Sequence, residues 1–210
     1  MKNKEERIGM VALIGKTNVG KSTLLNQLID QKVSITSRKP QTTRHRLLGI
    51  KTKERNQIIY VDTPGFHQGH QRVLNKFMNK VALSSIEGVD IVLFIVDALN
   101  FSEPDRHLLK QVPNENSQVI LVINKIDKIT RKEKLIPFVD EVSKLFPFLE
   151  VIPVSALKGK NIDILEEEIS SRLPFGNHLY PKDQVADISE RFLASEIIRE
   201  KCITRVGDEV

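Results

Sequence analysis

The feature that most constrains this chain is Gly15-Lys16-Thr17-Asn18-Val19-Gly20-Lys21-Ser22, a complete G-x-x-x-x-G-K-S loop set directly after an apolar run. Residues 10–14 have the unbroken apolar character of a buried strand, and 22–30 carry Leu24, Leu25 and Leu28 at helical spacing. The spacing therefore predicts strand, loop and helix in that order. In that setting successive backbone N–H groups and the positive end of the helix surround a phosphate, while Gly15 and Gly20 permit the turn and the close approach of backbone to ligand. Lys21 is expected to place its ammonium between the β- and γ-phosphates of a nucleotide, and the Ser22 hydroxyl to ligate magnesium.

The rest of the chain supplies a fold around this turn. Residues 31–46 are polar, carry Lys32, Arg38, Lys39, Arg44 and Arg46, and read as a long functional loop inside one domain. Residues 47–52 and 57–61 are strand-like runs separated by Lys53-Glu54-Arg55-Asn56, close enough for an antiparallel hairpin. Strands at 91–96, 118–123 and 150–154 then alternate with helices at 103–111, 131–145 and 162–173. Such alternation predicts an α/β fold: a mainly parallel, six-stranded sheet with helices on both faces. The composition changes at Pro174, where an irregular connector runs to 188. Ser189 then opens a helix with Phe192, Leu193, Ile197, Ile198 and Ile203 near helical spacing. With 210 residues and 40% hydrophobic composition, one α/β domain and a remainder are expected. The division is a domain over 1–173, a linker over 174–188, and the opening helix of a second unit over 189–210, whose apolar face needs a partner.

Composition excludes other classes. The single cysteine, Cys202, rules out an intrachain disulfide and any Cys-based zinc site. The amino terminus is charged where a signal peptide would be apolar, and no stretch approaches the ~20 apolar residues of a membrane span. A cytoplasmic protein is expected, for which any contact with the inner membrane is peripheral. The formal net charge of +5 is compatible with a nucleic-acid partner without requiring one.

Three further motifs give the ligand its identity. Asp62-Thr63-Pro64-Gly65 stands at the end of a strand, where Asp62 can reach magnesium through water and the Gly65 amide can contact a γ-phosphate. Asn124-Lys125-Ile126-Asp127 also follows a strand. A carboxylate there accepts from the N1–H and exocyclic amine of guanine and repels the acceptor N1 of adenine, so the nucleotide reads as GTP. Ser155 and Ala156, after the last strand, would supply a backbone N–H to guanine O6. The nucleotide contacts are therefore expected at Gly15, Lys16, Thr17, Asn18, Val19, Gly20, Lys21, Ser22 and Thr23, at Asp62, Thr63, Pro64 and Gly65, and at Asn124, Lys125, Asp127, Ser155 and Ala156. In the polar loop Thr43, in preference to Thr42, could ligate magnesium while a γ-phosphate is present. Lys21, Thr43, Asp62 and Gly65 are the residues expected to serve hydrolysis. Residues 31–46 and 63–80 are expected to change order with the γ-phosphate.

These motifs, with Asn18 inside the loop and the run Ser34-Ile35-Thr36-Ser37-Arg38-Lys39-Pro40-Gln41-Thr42-Thr43-Arg44-His45-Arg46, resemble the Era family of bacterial P-loop GTPases over essentially the whole chain. The resemblance implies GTP and GDP as ligands, magnesium as cofactor, hydrolysis of GTP to GDP and phosphate, and a switch role in assembly of the small ribosomal subunit through 16S rRNA. Arg191-Phe192-Leu193-Ala194-Ser195-Glu196-Ile197-Ile198-Arg199-Glu200-Lys201 resembles the start of that family's KH domain, which binds the 3′ end of small-subunit rRNA. The expected GXXG clamp would lie beyond Val210, so RNA binding is implied for the complete family protein. Asn18 resembles the loop asparagine that holds a potassium ion in related GTPases. Phe66 occupies the position where many small GTPases hold a Gln that orients the attacking water, and Phe cannot do so. The neighbouring His67 reads as a bystander. Two other readings stay open on these residues: a GTP-binding assembly module with negligible turnover, and the G domain of a larger tRNA-modifying or transport GTPase, against which the final helix argues.

Overall fold

The inner strands are apolar on both faces, which requires a layer of helices above and below the sheet. The computed structural model, which describes residues 6–36, 46–66, 73–113 and 118–206, meets that requirement. Its elements run β1 Arg7–Ile14, α1 Lys21–Ile29, β2 Leu47–Lys53, β3 Asn56–Asp62, α2 Val73–Ser84, β4 Ile91–Asp97, α3 Glu103–Leu109, β5 Gln118–Asn124, α4 Leu135–Ser143, β6 Glu150–Pro153, α5 Ile162–Arg172 and α6 Glu190–Val206. The six-stranded sheet has the order β2-β3-β1-β4-β5-β6, and only the edge strand β2 pairs antiparallel.

Alternate residues of each strand feed two cores. Val11, Leu13, Tyr60, Leu93, Ile95 and Val122 pack beneath α1 and α5, with Leu24, Leu25, Leu28, Leu165 and Ile169 facing them. Ala12, Ile14, Val61, Phe94, Val96 and Ile123 point the other way, against Leu108 of α3 and Val142 of α4. Because the parallel strands share a direction, β1, β3, β4 and β5 all end at one rim, and the loops that leave them converge there.

Two elements depart from the sequence expectation. Helix α2 overlaps the stretch expected to change order, 63–80, extends beyond it to Ser84, and was not anticipated as a helix. The helix expected over 131–145 begins only at Leu135, after a short 3-10 turn at Lys132–Lys134; Pro137 then falls in its first turn, where the missing N–H is tolerated. No described helix is long and apolar enough to cross a membrane.

The connector over 174–188 is held along the sheet. The Ile8 amide donates to Pro174 O at 3.1 Å, the Ile50 amide to Val185 O at 2.8 Å, and the Asp187 amide to Leu48 O at 3.1 Å. Val185, Ala186 and Ile188 pack on the α1–α5 core. Gln57, fully buried on β3, is the central fastening. Its Oε1 accepts the amides of Leu179 (2.8 Å) and Tyr180 (2.9 Å), and its Nε2 donates to Tyr180 O (2.8 Å) and Thr52 Oγ1 (2.9 Å). Helix α6 then returns to the loop after α1: Glu200 Oε1 accepts from the Thr36 amide at 3.0 Å and the Thr36 hydroxyl at 3.1 Å, while Oε2 pairs with Lys32 Nζ.

Removing one partner of a buried hydrogen bond strands the others. Gln57→Ala is therefore expected to lower unfolding stability by about 2–4 kcal/mol, the cost of orphaning the backbone groups it serves. Urea unfolding measures the loss, and limited proteolysis should show faster cleavage within 174–188.

Candidate functional site

The phosphate loop leaves β1 at the shared rim and turns into α1 through Gly20, whose φ of 100° is a left-handed conformation that a side chain disfavours. A Cβ on Gly20 would also stand 2.4 Å from Asn124 Nδ2. No side chain caps the N-terminus of α1, and its first turn holds no acidic residue, which leaves that end suited to an anion. Val19 anchors the loop from within, fully buried in the α1–α5 core, while Thr23 is half-buried on the first turn of the helix.

Lys21 and Asp62 are both taken out of water at this rim. Lys21 Nζ donates to Gly15 O at 3.1 Å and Lys16 O at 3.0 Å. Burial pushes its ammonium down to about 8, against the attraction of Asp62. Burial likewise pushes the Asp62 carboxyl up, opposed by the Lys21 charge and by hydroxyl donors. Those donors are Ser22 Oγ and Ser34 Oγ, each 2.9 Å from Asp62 Oδ2. Asp62 Oδ1 is buried with no hydrogen-bond partner among the described residues. A buried carboxylate oxygen of this kind calls for a donor, and water held by a magnesium ion is one. The hydroxyl of Ser22 beside that carboxylate is the hard-oxygen donor set that magnesium takes, so the residues present fit the metal.

The Asp62-Thr63-Pro64-Gly65 turn is buried throughout and continues β3 alongside the phosphate loop. Thr63 Oγ1 donates to Leu13 O at 2.8 Å. The Phe66 amide donates to Gly15 O at 3.1 Å, and the Thr17 amide donates to Phe66 O at 3.3 Å. Between them Gly65 is pressed so closely on Thr17 that a Cβ would come within 2.5 Å of its Cγ2. The Phe66 ring is buried against His107 of α3, centroids 5.7 Å apart. Its side chain thus belongs to the core between sheet and α3, and its backbone fastens Gly65 to the phosphate loop.

The residues expected to read the base form a second knot. Asn124, 2% exposed, donates through Nδ2 to Val19 O at 2.8 Å and accepts through Oδ1 from the amides of Lys125 (2.8 Å) and Ala156 (3.0 Å). In the 154–156 stretch, from which a backbone N–H was expected at guanine O6, the Ala156 N–H is held by Asn124. Lys125 Nζ bridges Asn18 O (2.5 Å) and Asp97 Oδ2 (2.6 Å), joining the base loop to the phosphate loop. Asp127 is exposed, and its Oδ1 accepts the hydroxyl of buried Ser155, which orients the carboxylate. Asn18 sits at φ 62° with its side chain on the surface. Lys16 is drawn away from the loop: its Nζ bonds Asp105 Oδ2 (2.7 Å), Ser102 Oγ (2.9 Å) and Asn100 O (3.1 Å) at the start of α3. Thr43, Thr42, Arg38, Lys39, Arg44 and His67 lie outside the described residues.

Comparison with known proteins places this geometry in a family. A model described as 50S ribosome-binding GTPase matches residues 10–125. GTPase Era of Marinobacter nauticus is 50% identical over 208 residues, 99% of this chain and 68% of that protein. The crystal structure of Era in complex with MgGDPNP and nucleotides 1506–1542 of 16S ribosomal RNA is similar at TM-score 0.92 and 43% identity, covering 98% of this chain and 70% of that one. A variant of Aquifex aeolicus Era bound to GDP.AlF4- gives TM-score 0.91 and 43% identity, covering 97% and 69%. The chain belongs to the Era family of GTPases.

As an Era GTPase it splits GTP into GDP and phosphate, and the tertiary contacts add residues that motif reading missed. Ser34, Asn26, Asp97 and Asp105 each hold a motif residue or its loop, yet none belongs to a motif. A period-two or helical pattern could not have found them, because each acts through polar contacts that leave no periodic trace.

Phe66 carries a direct test. Its truncation leaves a cavity where the ring packs on His107, so Phe66→Ala is expected to cost about 3–5 kcal/mol of unfolding stability. Phe66→Leu, which keeps most of the volume, should cost less than about 1.5 kcal/mol. Urea denaturation of both variants checks the difference.

Proposed function

We propose that this Era GTPase works as a magnesium-dependent GTP switch in assembly of the small ribosomal subunit, acting on 16S rRNA. The observation that carries the proposal is the meeting of Lys21, Ser22 and Asp62 on one rim with Asp127 and Ser155: a phosphate-and-metal site and a guanine-reading carboxylate held by the same loops. Ser22 and Asp62 would hold magnesium, which when bound would supply positive charge to offset that on the phosphates. Ser22 would ligate it and Asp62 would hold its water. Lys21 would neutralise the phosphates, and the N–H groups from Gly15 to Thr23 would cradle them. The Gly65 amide would meet the γ-phosphate, and Thr43 would ligate the magnesium while that phosphate is present. Thr63 and Pro64 shape that turn, Asn124 and Lys125 position the base loop, and Asp127 accepts from the guanine edge beside Ser155 and Ala156. Phe66 has no polar atom for the attacking water, so water is oriented by backbone, another side chain or an ion. Asn18 is read as holding a potassium ion for that purpose.

The rRNA partner is supported by the similarity to the Era solved with MgGDPNP and a 16S rRNA fragment. Residues 189–210 are read as the opening of a KH-type RNA-binding domain and 174–188 as the connection to it, in line with relatives longer than this chain. The proposed location is the cytoplasm, with any inner-membrane contact peripheral.

Three measurements test this reading. Lys21→Ala is expected to weaken GTP about 100-fold, the loss of a charge-assisted phosphate contact of about 3 kcal/mol, in a protein that still unfolds cooperatively. Unaltered affinity by titration would remove the phosphate-loop assignment. Asp127→Asn should move preference from GTP toward XTP, because the amide can donate to the 2-oxo group of xanthine; competition between the two nucleotides reads it. Replacing potassium by sodium at matched ionic strength should slow single-turnover hydrolysis about tenfold, ~1.4 kcal/mol of barrier. Equal rates would remove the Asn18 cation.

A further inference from the structure

Ser34 lies outside every nucleotide motif, yet it is 4% exposed and its hydroxyl is aimed at the metal carboxylate. The chain puts it there deliberately in the physical sense: one side chain, Asn26 on α1, shapes the turn. Asn26 Oδ1 accepts the amides of Val33 at 3.0 Å and Ser34 at 2.9 Å, and its Nδ2 donates to Ser34 O at 2.7 Å. Val33 and Ile35 on either side are each 2% exposed, so the segment is anchored by burial as well. The Ser34 hydroxyl then donates to Asp62 Oδ2 at 2.9 Å, the same oxygen that accepts from Ser22. With both hydroxyls on Oδ2, and the Thr63 backbone N–H also favouring the ionised carboxyl, Oδ1 is left as the buried oxygen without a partner among the described residues.

We infer that Ser34 is a positioning residue for magnesium: by holding Asp62 Oδ2 it fixes the carboxylate so that Oδ1 faces the water shell of the ion. The inference rests on the magnesium–GTP reading above. A ligating or water-holding carboxylate keeps its orientation through its outer hydrogen bonds, and loss of such a partner typically costs 10–100-fold in metal affinity. Ser22 cannot do this alone, because its oxygen is also needed by the ion. Ser34 touches neither nucleotide nor metal in this account, so its effect is confined to how strongly magnesium is held.

Release of a fluorescent GDP analogue from the full chain, followed over a range of magnesium concentrations and in EDTA, separates this role from a general one. In the unsubstituted chain magnesium should slow release. Ser34→Ala is expected to raise the magnesium concentration for half-maximal slowing about tenfold while release in EDTA stays within about twofold. Ser34→Cys keeps the volume with a weak donor and should behave like Ser34→Ala, so it carries the test if the alanine variant does not fold. Ser34→Thr keeps the hydroxyl and should stay within about threefold of the unsubstituted chain. Unchanged half-points in the alanine and cysteine variants overturn the inference. So does equal acceleration with and without magnesium, or a tenfold shift in Ser34→Thr, since either would mean that packing sets the effect. Release from the unsubstituted chain that ignores magnesium would instead defeat the underlying magnesium–GTP reading.

Discussion

Two opposite charges withdrawn from water, the Lys21 ammonium and the Asp62 carboxylate, govern the site at the sheet rim. Each costs several kcal/mol to bury, and their mutual attraction offsets this only in part. Burial accordingly pulls Lys21 toward neutrality and Asp62 toward protonation, against their mutual attraction. Such an arrangement adds little to stability by itself. Its physical sense is a nucleotide and a divalent ion, whose charges complete what the protein leaves unbalanced.

Holding those charges in place requires loops that do not drift, and the structure supplies cross-braces between them. Asn124 ties the base loop to Val19 and to Ala156, and Lys125 ties it to Asn18. Phe66 pairs its backbone with the phosphate loop while its ring is buried against α3. Lys16 reaches the same helix through Asp105. The braces join the loops of the proposed nucleotide site to one another and to α3, so its parts are set together. Preorganisation of this kind spares the reorganisation that binding would otherwise require.

The loop after α1 is braced from two directions. Its inner side meets the metal carboxylate through Ser34, and its outer side meets α6 through Thr36 and Glu200. Hydrogen bonding and Lys32 hold the Glu200 carboxyl below its ordinary range in spite of its desolvation. The connector before α6 is bound to the sheet by Gln57, so the helix is not a loose appendage of the G domain.

The sequence by itself determined the class of fold and the strand-end motifs, the phosphate loop among them, from which the metal and guanine carboxylates are proposed. These are local signals: an apolar run, a glycine-bracketed turn, and short motifs at strand ends, each legible within about ten residues because strand and helix periods are local. All six strands were legible for that reason, and so was the hairpin at the antiparallel edge. Only the tertiary structure decided that Phe66 faces the core, that the Lys16 side chain pairs with Asp105, that Ala156 gives its amide to Asn124, and that 174–188 lies along the sheet. The contacts of Ser34, Gln57 and Glu200 were not legible for the same cause. Each makes its defining bonds across 28, 123 and 164 residues of chain respectively. A single polar side chain leaves no periodic trace, and its meaning arises only when the fold buries it beside a partner that cannot be left without a hydrogen bond.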